Sequence, residues 1–333
     1  MSRLHRNVRR SAALFILLVL LNLLPISAQQ ASSSDGTAVN LLVTAIDKNS
    51  KQFVMTLRKE DVRVLEDGIQ QDITDFKQQT DKPLSMVIML DTSMSQEKIL
   101  PIAKQVSREF VDSFIRPGVD SVGVITFTGA STLEQELTRE LLQVHQAIER
   151  IEFKPPAGYV GGGMVKGKPA QASTDQLLHG STAIWDAIGF ASEKIGAQAS
   201  VDTRRVIILI TDGEDTSSKR TLNDAAEIAI KDGAVIYSIG IGDEYYGGTN
   251  EGLLRKISER TAGRAFFPKK MKDFQAAFSE IEQALRAQYL ISYSSVSKKP
   301  LNKMRKIRIE IVNPELRKQG LQLSYQQGYF IKG

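Results

Sequence analysis

The chain of 333 residues contains no cysteine, three histidines and one tryptophan. Without cysteine there is no disulfide framework, no thiolate zinc site, no thiol nucleophile and no lipidated cysteine anchor. With three histidines in the whole chain a histidine-rich metal site is not expected, and the expected metal is a hard cation held by oxygen. Basic charge is scarcer than it first looks. Lys and Arg number 43 against 38 acids, a formal charge of +5. Arg3, Arg6, Arg9 and Arg10 supply most of it, and without them the formal charge is +1. A nucleic-acid partner would need a fixed positive excess that the rest of the chain lacks. Beyond the N-terminus no apolar run is long enough to span a bilayer. Internal repeats and low-complexity tracts are absent as well.

What is present begins with export. Residues 1–28 read as a signal peptide: a basic stretch ending at Arg9-Arg10, an apolar run from Ala12 to Leu24, then Pro25 and the small-residue cleavage site Ile26-Ser27-Ala28. The run falls short of the ~20 apolar residues of a comfortable membrane span. Cleaved or kept as an anchor, this segment puts the rest of the chain outside the cytoplasm, in the periplasm or the extracellular space. Membrane attachment is expected only if the segment stays uncleaved. Residues 29–36 are small and polar and read as a flexible leader.

Residues 37–80 have short, strand-like patterns. Val39 to Ile46 is β-rich, and Val62-Arg63-Val64-Leu65-Glu66 alternates with period 2. Asp67-Gly68 then gives a hairpin signal, because glycine accepts positive φ without a Cβ clash. Residues 83–288 change rhythm to apolar strands alternating with helices. Ser85 to Leu90, Val122 to Phe127, Val206 to Ile210 and Val235 to Ile241 are the strands. Lys98 to Ile115 has apolar residues at helical spacing, with Pro101 near the first turn, where a missing N–H is tolerated. This predicts an α/β fold with a doubly wound, mostly parallel sheet covered on both faces. Residues 289–333 return to β, with candidates at Tyr289–Tyr293, Ile307–Val312 and Leu321–Tyr325. The N- and C-terminal flanks are expected to pair into one small β module, since a stable unit needs three or more strands.

Three segments carry oxygen-rich chemistry. The first core strand ends in Asp91-Thr92-Ser93-Met94-Ser95, one carboxylate and two hydroxyls on a single tight loop. Gly180-Ser181-Thr182 opens a helix and adds a hydroxyl. The strand Val206–Ile210 ends in Thr211-Asp212-Gly213. Functional groups of open parallel sheets gather beyond the C-terminal ends of strands. Asp91, Ser93, Ser95, Thr182 and Asp212 make an all-oxygen set with two carboxylates, which suits Mg²⁺, with Mn²⁺ as an alternative. Each piece alone is more often a cap or a turn. The specificity lies in all three occurring in order, each at its proper place on a strand or helix.

In this order the motifs resemble the von Willebrand factor type A (VWFA) domain and its metal-ion-dependent adhesion site (MIDAS), over about Pro83 to Tyr289. The flanks, Leu57 to Val62 with Leu65-Glu66-Asp67-Gly68 and the terminal Gln327-Gly328-Tyr329-Phe330, resemble those of exported bacterial proteins that carry this domain between β segments. The resemblance implies that Ser93 and Ser95 bind the cation directly. Thr182 binds directly or through water, and Asp91 and Asp212 act largely through water. A vacant position would be completed by an Asp or Glu from a protein partner. The expectation is therefore an exported adhesion or assembly module and not an enzyme. The alternatives are a metal-dependent hydrolase or phosphoryl-transfer enzyme, for which Glu214 and Asp215 beside Asp212 are the motive, and a structural subunit of an envelope complex.

Phe153 to His179 is long for a connection and rich in Gly, Pro and Lys, and is expected to be a surface loop near the site. Within it, Gly162-Gly163-Met164-Val165-Lys166-Gly167-Lys168 nearly fits a phosphate-binding loop. Pro169 stands where Ser or Thr should follow, so no nucleotide site is expected. His179 reads as an exposed loop histidine, and Trp185 and Phe190 read as core.

Overall fold

The computed structural model describes residues 37–50, 52–79, 82–159, 180–200, 203–297, 300 and 303–330. The signal peptide, the leader and residues 160–179 of the Gly-rich segment, His179 included, lie outside the described residues.

The chain enters through four strands, β1 (Thr37–Asp47), β2 (Val62–Glu66), β3 (Ile69–Gln71) and β4 (Ile73–Gln79). Glu66 pairs with Ile69, so Asp67 and Gly68 are the two-residue loop of the β2–β3 hairpin. Their φ angles are 51° and 86°. Two successive positive φ values match the twist of the flanking strands, which explains an Asp-Gly pair at this turn.

The α/β layer follows as β5 (Leu84–Asp91), α1 (Leu100–Phe114), β6 (Ser121–Phe127), β7 (Ser131–Thr138), α2 (Leu141–Arg150), α3 (Ile184–Gln198), β8 (Arg204–Thr211), α4 (Leu222–Lys231), β9 (Ala234–Gly240), α5 (Glu251–Arg260), β10 (Ala265–Phe266) and α6 (Met271–Arg286). The sheet order is β10-β9-β8-β5-β6-β7. All neighbours are parallel except β7, which runs antiparallel to β6 at the edge. Every residue of β5 is buried, as expected of a central strand covered on both faces. One face is covered by α1, α2 and α6, whose Val106, Phe110, Ile148 and Phe278 meet Ile88 and Ile208. The other is covered by α3, α4 and α5, whose Ile188, Ala226 and Leu254 meet Met89 and Leu209.

After α6 come β11 (Gln288–Ser295), β12 (Arg305–Ile311), the short helix α7 (Pro314–Lys318), β13 (Leu321–Tyr325) and β14 (Gly328–Tyr329). The flanking strands do pair, into two antiparallel four-stranded sheets, β13-β1-β11-β4 and β14-β12-β2-β3. One apolar core serves both, including Leu41, Val43, Val64, Ile291 and Ile309. Each sheet mixes strands from the two ends of the chain. A buried ion pair, Arg305 with Glu66 at 3.6 Å, reinforces that closure, and Tyr293 and Tyr329 donate to Glu66 at 2.8 and 3.1 Å.

This topology creates the crevice. Strands β5 and β8 are parallel neighbours, yet the helices that follow them, α1 and α4, pack on opposite faces. The loops leaving their C-terminal ends diverge, and Asp91 and Asp212 sit where they part.

Candidate metal centre

Asp91 is the last residue of β5 and is 2% exposed. One carboxylate oxygen, Oδ1, accepts the backbone N–H of Ser93 at 2.9 Å and so bends the loop back on itself. Oδ2 accepts the hydroxyl of Thr211, the last residue of β8, at 2.6 Å. Asp212 follows Thr211 and is also 2% exposed. Its Oδ2 accepts from the Ser95 hydroxyl at 2.6 Å and from Gln96 Nε2 at 2.9 Å, and its Oδ1 accepts the N–H of Glu214 at 3.0 Å. The Ser93 and Ser95 hydroxyl oxygens lie 3.3 Å apart. Asp91, Ser93, Ser95 and Asp212 therefore form one hydrogen-bonded cluster.

Thr182 is buried on the segment that leads into α3. Its backbone N–H donates to the Thr216 hydroxyl at 2.8 Å, and its carbonyl accepts from Thr216 and Ser217 at 2.8 and 3.0 Å. The next residue, Ala183, donates to the carbonyl of Thr128 at 2.8 Å, beyond the end of β6. The loop after β8 thus clasps the entrance of α3. The Thr182 side chain makes no hydrogen bond to the other four among the described residues.

The two further acids of this loop have structural employment. Asp215 accepts the N–H of Ile184, capping α3, at 2.7 Å. Glu214 accepts from Asn250 Nδ2 at 3.0 Å, while the Asn250 N–H donates to the carbonyl of Asp212 at 2.7 Å. Gly213 separates these acids from Asp212 with φ at 85°. A Cβ there would stand 2.9 Å from Leu254 and 3.1 Å from the Asn250 carbonyl, so only glycine fits.

Electrostatically the cluster is deficient in positive charge. Neither Asp91 nor Asp212 forms an ion pair with a described cationic side chain. Burial pushes the Asp91 carboxyl up to about 7, and the charge of Asp212 adds to the shift. Among the described residues no three His, Cys, Asp or Glu side chains cluster, so a cation here would depend on hydroxyl oxygens as much as on carboxylates. Two carboxylates and the hydroxyls of Ser93 and Ser95, all oxygen and short of positive charge, fit a hard divalent cation. The sequence offered no signal for Thr211 and Gln96 as supports of the carboxylates. Each looked like an ordinary polar residue at the end of a strand or in a loop.

Two family models, each of the von Willebrand factor type A domain, match overlapping stretches of the chain, residues 86–214 and 169–283. Among solved structures, the chain is similar to the conserved hypothetical protein BatB from Bacteroides thetaiotaomicron, at 22% identity over 60% of this chain and 98% of that one, with a TM-score of 0.45. A von Willebrand factor type A protein from Catenulispora acidiphila matches at 13% identity over 84% of this chain and 70% of that one, TM-score 0.47. Proximal thread matrix protein 1 from the mussel byssus, described with a zinc-occupied MIDAS motif, matches at 18% identity over 63% and 50%, TM-score 0.46. None of the curated proteins matches the chain.

Proposed function

The chain carries a von Willebrand factor type A domain, and from that premise we propose that it is an exported module that binds a protein partner through a divalent cation at the ends of β5 and β8. The observation that carries this reading is the pair of buried carboxylates, Asp91 and Asp212, without a cationic partner and joined through Ser93 and Ser95. Two like charges held out of water are costly unless a cation offsets them. Ser93 and Ser95 would hold the cation directly, with Thr182 completing the set directly or through water. Asp91 and Asp212 would balance its charge largely through water. When bound, the cation supplies a site for the carboxylate of a partner's Asp or Glu. The chain's own part is to fix the hydroxyls: Asp91 holds the loop by accepting Ser93 N–H, and Asp212 orients the Ser95 hydroxyl. Mg²⁺ is the proposed ion, with Mn²⁺ as a substitute.

No observation favours the enzymatic alternative, because Asp215 is used as a helix cap and Glu214 is bonded to Asn250. No helix among the described residues is long and apolar enough to cross a membrane. Export is proposed from the N-terminal segment alone, and the structural envelope subunit differs from the binding module in what the metal does. A pull-down from envelope extract separates these readings. A partner retained with Mg²⁺ and released by chelator, with the fold intact by circular dichroism, supports binding. Loss of fold in chelator supports a structural metal, and no cation-dependent partner contradicts the proposal.

A further inference from the structure

We infer a second ligand site, independent of the cation: a small oxyanion, carboxylate or phosphate, binds in the crevice where the start of β8 meets β1 and β11. The crevice has a volume of about 210 Å³. Its polar wall includes Lys82, Arg204 and Arg205, and its apolar wall includes Leu42, Val235 and Leu290. No acidic side chain lines it among the described residues. The space suffices for a phosphate or a short carboxylate with a few waters of ~30 Å³ each.

The charges make the case. Arg204 is 6% exposed, yet its guanidinium meets only neutral oxygens. It donates to the carbonyls of Leu285 and Lys82 and to Gln288 Oε1. Its Nε is buried with no hydrogen-bond partner. A buried guanidinium that donates only to neutral carbonyl oxygens, with Asp120 acting on it at longer range, is an arrangement that an anion in the crevice would complete. Arg205 likewise donates to the carbonyls of Asp232 and Ala199, and none of Lys82, Arg204 and Arg205 forms an ion pair with a described residue. Other arginines near Arg204 do have acids: Arg116 has Asp120 and Arg286 has Glu282.

The site is remote from the carboxylate cluster. Arg204 opens β8 and Thr211 closes it, and seven residue steps of strand span roughly 23 Å. Anion binding should consequently be insensitive to the cation. It would act on the joint between the α/β layer and the flanking sheets, because Gln288 and Leu290 belong to β11 and Asn40 and Leu42 to β1.

The test is isothermal titration calorimetry of the full chain in chelator, with inorganic phosphate and with butyrate, against chloride at equal ionic strength. Saturable heat with phosphate, butyrate or both supports the site and tells which head group it prefers. Arg204→Gln should lose at least ~10-fold in affinity, the scale of a charge-assisted hydrogen bond. Because Arg204 also ties Leu285 to Lys82, Lys82→Gln and Arg205→Gln serve as variants that preserve the fold. Each should weaken binding several-fold while keeping native circular dichroism. Ser93→Ala should bind the anion like wild type, which separates this result from the fate of the metal reading. Heats indistinguishable from chloride, or wild-type affinity in both Lys82→Gln and Arg205→Gln, would overturn the inference.

Discussion

Ser95 donates its hydroxyl hydrogen to Asp212 at 2.6 Å, joining two loops 117 positions apart in the sequence. The direction of that bond matters. A hydroxyl that donates to a carboxylate keeps its lone pairs for a second partner. With its hydrogen committed to Asp212, the Ser95 oxygen faces the Ser93 hydroxyl at 3.3 Å, and Gln96 donates to the same Asp212 carboxylate oxygen at 2.9 Å. Neutral donors thus hold a charged group in place without neutralising it, which leaves the deficit that a cation would fill.

Asp91 makes the metal-free protein sensitive to pH. Burial and Asp212 raise its folded-state value from 3.8 to about 7. Between those values the folded chain binds more protons than the unfolded one. Its contribution to stability is therefore full below 3.8 and lost as pH rises through about 7. In chelator, the melting temperature of wild type relative to Asp91→Asn should fall by several degrees from pH 5 to pH 8. A cation should reverse the trend, binding more tightly as the proton leaves. A difference between the two proteins that is flat with pH would contradict the assignment.

Asp120 should behave in the opposite sense. Burial works to raise its carboxyl, but hydrogen bonds from Arg116 and from the Leu84 N–H outweigh this and hold it below the usual range. Stability from this group is present above the unfolded value and lost as pH falls through the lower folded one. Asp120→Ala should cost about 3 kcal/mol at pH 7, since it removes the carboxylate that accepts from Arg116 and from the N–H at the start of β5. Denaturant unfolding at pH 7 measures this, and the penalty should shrink at pH 3.

Gly213→Ala tests the turn that carries Asp212. The substitution meets both a positive φ and contacts of 2.9 and 3.1 Å to Leu254 and Asn250. It should destabilise by about 1–3 kcal/mol and weaken cation binding by displacing the neighbouring carboxylate. A variant with wild-type melting and cation affinity would show that the turn tolerates a side chain.

The flanks make a separate prediction. We propose that residues 37–80 and 289–333 act as one folding unit around residues 83–288. In the sheet β13-β1-β11-β4, both neighbours of β1 come from the C-terminal flank. A chain ending at Gln288 would expose both edges of β1 and one edge of β2, which favours aggregation. Size-exclusion chromatography should show loss of the monomer. A monomer with unchanged protease resistance over residues 37–80 would contradict the pairing as a folding unit.

Much of this architecture is legible in the sequence because its signals are local and redundant. Ile88 and Ile208 lie in short uninterrupted apolar runs, the pattern of a strand buried on both faces. Asp67-Gly68 announces its hairpin through the backbone it needs. Strand β7 is not legible: Glu134, Gln135 and Glu136 break any alternation, because the strand is a half-exposed edge and few of its side chains are asked to be apolar. The division of the flanks into two sheets is also hidden, since pairing partners such as Val64 and Ile309 lie far apart in sequence. At the site, Asp91, Ser93, Ser95, Thr182 and Asp212 stand out by motif. Gln96 and Thr211 do not, because a residue that supports a carboxylate through one hydrogen bond has no spacing rule to betray it.

The central claim is that the cluster of Asp91, Ser93, Ser95, Thr182 and Asp212 binds a divalent cation, and calorimetric melting with and without Mg²⁺ tests it most directly. A cation held only by the folded chain stabilises it by ~2.7 kcal/mol at ~100 times its dissociation constant. For a cooperative unit of about 200 residues that is a rise of roughly 5–10 °C. Wild type should show this rise with Mg²⁺ or Mn²⁺. Ser93→Ala should fold normally and lose most of it. No divalent-dependent shift in wild type, or a full shift retained in Ser93→Ala, would contradict the account.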